Sequence, residues 1–223
     1  MAFGKKQETG QIIITAPNFK VIPLTIVGTA PYVCNDLSEP AEEELKKSMG
    51  GPKPDKPSKA KRPPKDFAAD YKGSMHVDVE GGWVGIPAAA IRSAMIRACS
   101  TCGVEMTRAK QCFFVLADGV DRRGKPLVKI SKGKPERFDS LVKNSNGSTD
   151  VRARARFDAG WEAALRIQYD ADAFSEATVA NLLLRAGMSV GVGAGRPFSS
   201  NSAGCGWGVF SLKHLVKKED AAA

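Results

Sequence analysis

The order of strand and helix signals predicts an α+β domain of the ferredoxin-like (RRM-like) kind: an antiparallel sheet with two helices on one face and a basic inserted loop. Three observations carry this. Apolar stretches of period two alternate with two stretches of helical period, in the order strand, helix, strand, strand, helix, strand. A length of 223 residues suits one domain, 1–223, and 43% apolar residues are enough for a core. One stretch, at about 38–75, departs from the rest in composition and reads as an insertion.

"QIII" at 11–14 and "FKVIPLTIVG" at 19–28 are rich in isoleucine and valine and read as strands, with Pro17 and Pro23 marking a boundary or an edge. "AEEELKKSM" at 41–49 suits a short helix. "GGPKPDKPSKAKRPPKD" at 50–66 has almost no apolar side chains and cannot build a core. Lys59, Lys61 and Arg62 lie in it, so it reads as a basic arm for phosphates. Met75, Val77 and Val79 alternate with polar residues, as in a half-buried strand, and Gly81-Gly82 turns the chain back through Trp83. Pro87 opens a helix whose buried stripe is Ile91, Met95 and Cys99, with Ala94 and Ala98 beside it. Arg92 and Arg97 point elsewhere on that helix. "CFFVLAD" at 112–118 reads as a buried strand, followed by a polar hairpin with turns at Arg123-Gly124 and Lys132-Gly133. A strand from Trp161 to Tyr169 precedes a helix with Ser175 as N-cap and Gly187 as C-cap. Val209–Leu212 is the last strand.

The formal charge of +9 points to an anionic partner, nucleic acid being the common case. No apolar run reaches the ~18 residues of a membrane span, and no basic helix with a broad apolar face suggests a membrane surface. The first residues hold lysines with no apolar leader core behind them, so a cytoplasmic protein is expected. Five cysteines argue against a disulfide framework. Cys99-x-x-Cys102 lacks the second close pair that structural zinc asks for, leaving only Cys112, Cys205, His76 and His214 scattered elsewhere. The two histidines occupy no recognisable catalytic setting. There is no P-loop, H-E-x-x-H or G-x-S-x-G, and "GVGAGRP" follows a helix rather than opening one, unlike a dinucleotide fingerprint. No cofactor is expected.

Two stretches carry the binding signal. In "DVRARARF", Arg152, Arg154 and Arg156 alternate with small residues, so a strand puts all three on one face. Three like charges there repel unless an anion lies across them. Seven glycines fall from Gly187 to Gly208 with Arg196 among them. Gly193 and Gly195 let a ligand approach the backbone, whose amides cradle a phosphate while Arg196 supplies charge. Arg92 and Arg97 are further phosphate candidates.

These residues resemble the RAMP superfamily, the ferredoxin-like RNA-binding proteins of CRISPR effector complexes. "GVGAGRPFSSNSAGCGWGVFSL" is similar to the glycine-rich loop before their last strand, and "IPAAAIRSAMIRA" at 86–98 to the helix entry of their backbone subunits. The insertion at 38–75 matches those subunits in placement, and "RARARFDAGW" is similar to phage-encoded relatives. The resemblance spans roughly 19–212. It implies non-catalytic, backbone-directed binding of single-stranded nucleic acid, RNA favoured, as guide RNA. Copies would assemble side by side in a filament-like ribonucleoprotein with other subunits, for antiviral defence in a bacterium or encoded by a phage. Two alternatives stand beside it. One is a phage single-stranded DNA-binding or annealing protein. The other is a metal-dependent RNA-cleaving backbone subunit that uses Asp36, in the loop after the first strand, where a lone aspartate otherwise turns or caps the chain.

Overall fold

The computed structural model describes residues 16–36, 42, 43, 46, 49, 50, 65–143, 147, 149–198 and 204–214. The strand expected at 11–14 and the arm residues Lys59, Lys61 and Arg62 lie outside them. The chain is α+β with antiparallel sheets. In order it forms β1 (Phe19–Gly28), β2 (Tyr32–Val33), α1 (Phe67–Gly73), β3 (His76–Val77), β4 (Val84–Pro87), α2 (Ala88–Ala98), α3 (Met106–Cys112), β5 (Phe113–Leu116) and β6 (Gly119–Val120). There follow β7 (Pro126–Lys132), β8 (Glu136–Lys143), β9 (Thr149–Phe157), β10 (Glu162–Asp170), α4 (Glu176–Ser189) and β11 (Phe210–Leu212).

The main sheet has eight strands in the order β11-β1-β10-β7-β4-β3, with β5 also on β10 and β6 on β7. Its spine is the β1–β10 pair, in register from Phe19↔Asp170 to Val27↔Glu162. The alternation of both strands turns Ile26, Ala163, Leu165, Ile167 and Tyr169 inward. Helices α2 and α4 bring Ile91, Ala94 and Met95, and Val179, Leu182 and Leu183, into the same core. Each such leucine, isoleucine, valine or methionine side chain contributes about 1.5–3 kcal/mol by leaving water. Trp161 closes the end of this core, its Nε1 donating to the Ala30 carbonyl at 2.9 Å. Among the described residues, no helix is long and apolar enough to cross a membrane.

Several local expectations are corrected. The sheet is larger than four strands, because the segment after β5 adds β6 and β7 to it and β3–β4 extend the edge. The chain at Lys132-Gly133 does not close a hairpin in this sheet. It leads into a second, three-stranded sheet in the order β2-β9-β8. Helix α3 was not foreseen. Gly187 is not a C-cap: α4 runs on to Ser189, and Gly187 is buried where a Cβ would stand 2.2 Å from the Phe210 carbonyl oxygen. The strand around residue 77 has the expected period but the opposite facing. His76 and Asp78 are buried while Val77 and Val79 are exposed. Asp78 tolerates burial because its carboxylate accepts from the amides of Glu80, Gly81 and Val120.

Candidate functional site

Strand β9 carries the arginines on the face its sequence dictates. Ala153, Ala155 and Phe157 turn inward and are buried, and α1 packs on their side, with the Ala155 amide donating to Ser74 Oγ at 2.9 Å. Cross-strand pairing sets Glu136, Phe138 and Ser140 of β8 opposite Arg156, Arg154 and Arg152, hence on the arginine face. The three guanidiniums differ in how they are satisfied. Arg152 lies 3.8 Å from Asp150. Arg156 pairs with Asp158 at 2.7 Å and sits over the Phe138 ring at 5.2 Å, with its Nε buried and without a partner. Arg154 is half-buried and, among the described residues, makes no hydrogen bond or ion pair. Burial, and then neighbouring Arg152, pull its pKa below the ordinary value. A charge held partly out of water without a counter-ion costs free energy, and a bound anion removes that cost.

The glycine-rich segment packs along β2. The Ala194 amide donates to the Val33 carbonyl at 2.9 Å and the Gly208 amide to Pro31 at 2.7 Å. Gly193 (φ +78°) and Gly195 (φ +66°) adopt the left-handed backbone that favours glycine. Their open sides do not face solvent. A Cβ at Gly193 would stand 2.6 Å from the Tyr32 ring, and one at Gly195 2.3 Å from Trp207. The expectation that these glycines admit a ligand is therefore corrected: the protein's own rings fill the space. Trp207 goes on to meet Phe138 edge-on at 5.4 Å, which joins this segment to the arginine face. Arg196 donates from Nη1 to the Gly193 carbonyl at 2.9 Å, bracing the turn while lining the adjoining cleft.

That cleft, of about 600 Å³, lies between the start of α2, the glycine segment and the chain after β2. Arg97, Lys125 and Arg196 line it together with Asp36 and His76. Arg97 stacks over the Phe198 ring at 4.1 Å. Among the described residues the first turn of α2 has no side-chain cap, and the helix N-terminus adds positive potential on the same side. The floor holds the group that sequence reasoning missed. His76 Nδ1 lies 3.2 Å from Asp121 Oδ2 and 3.4 Å from Asp36 Oδ2. Burial lowers the His76 pKa, against the pull of the two aspartates. Burial opposes ionisation of Asp121, but the amides of Lys125 and Arg123 and then His76 outweigh it and hold its pKa below the ordinary value. His76 thus sits in a buried polar setting at the start of β3. Three segments supply the cluster, from residues far apart in the chain. The inverted facing of the strand at His76 is the only local sign of it.

Other candidates are placed elsewhere. Arg92 is corrected from a phosphate contact to an internal brace: its Nε donates to the Phe113 carbonyl at 2.7 Å, and its Nη2 to Lys110. Cys99 and Cys102 both donate to helix carbonyls, of Met95 and Ala98. Among the described residues, Asp36, His76 and Asp121 are the one group of histidine, cysteine and carboxylate atoms close enough to share an ion. The Tyr32 hydroxyl, at the cleft wall, is fully enclosed beside Cys34 and has no hydrogen bond of normal geometry. Burial pushes the Cys34 thiol up to about 12, so it is no nucleophile. No family model matches the chain, and no curated protein matches it.

Proposed function

We propose that this protein binds single-stranded nucleic acid through its phosphates, without catalysis of its own, along the arginine face of β9 and the aromatic pair Phe138–Trp207. The observation that carries the reading is Arg154, a half-buried guanidinium with no anionic partner among the described residues, on a face with Arg152 and Arg156. A strand laid across the face would supply the counter-charge that Arg154 lacks, and the half-buried rings of Phe138 and Trp207 beside it offer aromatic surface to bases. RNA is the favoured strand on the resemblance to RAMP proteins, and side-by-side assembly of copies follows from the same resemblance. The ferredoxin-like plan is supported by the pairing of β11, β1, β10 and β5 in that order, all antiparallel, with α2 and α4 as the two helices. On this reading β2–β4, β6–β9, α1 and α3 are additions to the plan.

The test is affinity for short RNA and DNA oligomers of several sequences across a salt series. Arg152→Ala/Arg154→Ala should weaken binding to all sequences alike and flatten the salt dependence by about 0.7 per lost contact. Phosphate contacts position a strand rather than read it, so base preference should not change. An unchanged slope in this variant removes the face from the site.

A further inference from the structure

Two carboxylate oxygens converge on one imidazole nitrogen at the floor of the cleft. The Nδ1 of His76 faces the Oδ2 of Asp121 and of Asp36, and the three atoms all lie within 4.8 Å of one another. The other oxygens are already engaged. Asp121 Oδ1 accepts from the amides of Arg123 and Lys125, each at 2.9 Å. Asp36 Oδ1 accepts from the Arg123 guanidinium and from Lys125 Nζ at 3.1 Å. These donors fix both carboxylates so that Oδ2 points at the histidine.

The side chains are almost wholly enclosed, at 4% exposure for His76, 6% for Asp36 and 2% for Asp121. One Nδ1–H proton satisfies one Oδ2, and the imidazole has no second donor for the other at that nitrogen. A cation between the three atoms satisfies all of them at once. Ligand atoms about 2.1 Å from a zinc-sized ion lie about 3–3.5 Å from one another, and the two distances from His76 Nδ1, 3.2 and 3.4 Å, fall in that range.

We propose that Asp36, His76 and Asp121 bind a divalent first-row cation, Mn2+ or Zn2+, as two carboxylates and one imidazole. The imidazole favours such ions over Ca2+, and the carboxylates admit Mn2+. Asp36 and His76 both line the cleft, so the remaining coordination positions open into it. There a phosphate oxygen would meet the ion with Arg97 and Arg196 alongside. That last step rests on the strand-binding reading; the metal site does not.

The experiment uses the full chain freed of nucleic acid, with Mn2+ as probe. Calorimetry and electron paramagnetic resonance should report one equivalent bound, and electron spin-echo modulation should show coupling to an imidazole 14N. The chain has two histidines, and His214 is exposed near its end. His214→Ala should therefore keep the 14N coupling, whereas His76→Gln should lose it and Asp121→Asn should weaken uptake at least tenfold. If the buried variants fail to fold, wild type and His214→Ala still decide the matter. No ion taken up at millimolar Mn2+, a bound ion without 14N coupling, or coupling lost in His214→Ala overturns the proposal. Strand binding that persists without metal uptake sinks the metal site alone, and metal uptake without strand binding sinks the strand reading alone.

Discussion

The glycine segment and strand β9 flank the same short strand, β2, yet they end differently. On one side, Gly193 and Gly195 make room that Tyr32 and Trp207 already occupy. On the other, Arg154 turns to a face where nothing among the described residues meets its charge. Both stretches stand out by composition, and composition alone does not say which neighbour a residue is shaped for. A missing Cβ is evidence of close approach, and the approaching group is as often the protein itself. A half-buried charge is different, because its cost persists until a counter-ion arrives.

This contrast can be broken at its glycine side first, where the largest effect is expected. Gly193→Val and Gly195→Val meet both a positive φ and an aromatic ring. Each should cost about 3 kcal/mol or more, roughly 6–12 °C in Tm for a chain of this length. For Gly193→Val, whose added side chain meets Tyr32 and not the Phe138–Trp207 pair, strand affinity of the fraction that stays folded should be unchanged. A variant that keeps its Tm and loses affinity would return the glycines to the binding surface.

Arg92 sharpens the same contrast among arginines. Its donors are held by the carbonyls that end α3 and begin β5, and its guanidinium lies 5.1 Å from the Phe114 ring. Arg92→Ala should lower stability by about 2 kcal/mol, the worth of charged hydrogen bonds to the main chain, and leave the salt dependence of binding as in wild type. Denaturant unfolding with oligomer titrations on the same variant reads both.

What could be read in advance follows physical lines. The facing of β9 was legible because alanine and arginine differ sharply in size and charge, so period two sorted them. Both main helices were legible from their apolar stripes. The facing of the strand at His76 was not, since hydropathy favours Val77 and Val79 inside. Partners from elsewhere, Asp36 and Asp121 for His76 and a turn's own amides for Asp78, make the polar side the buried one. The floor of the cleft stayed hidden for the same reason, because its three side chains meet only through tertiary structure. Helix α3 and strand β8 lie in polar stretches without strong periodicity, where packing rather than pattern decides.

Arg154 is where the strand reading stands most exposed. The direct measurement pairs salt-dependent RNA affinity with Tm for wild type and Arg154→Gln. Affinity should fall about tenfold, close to 1.4 kcal/mol, with a salt slope shallower by about 0.7. Stability should stay level or rise, since an uncompensated half-buried charge is removed. Equal affinity and slope in the two proteins, or a loss of Tm with binding intact, would mean that Arg154 serves the fold and that the face of β9 does not hold a strand.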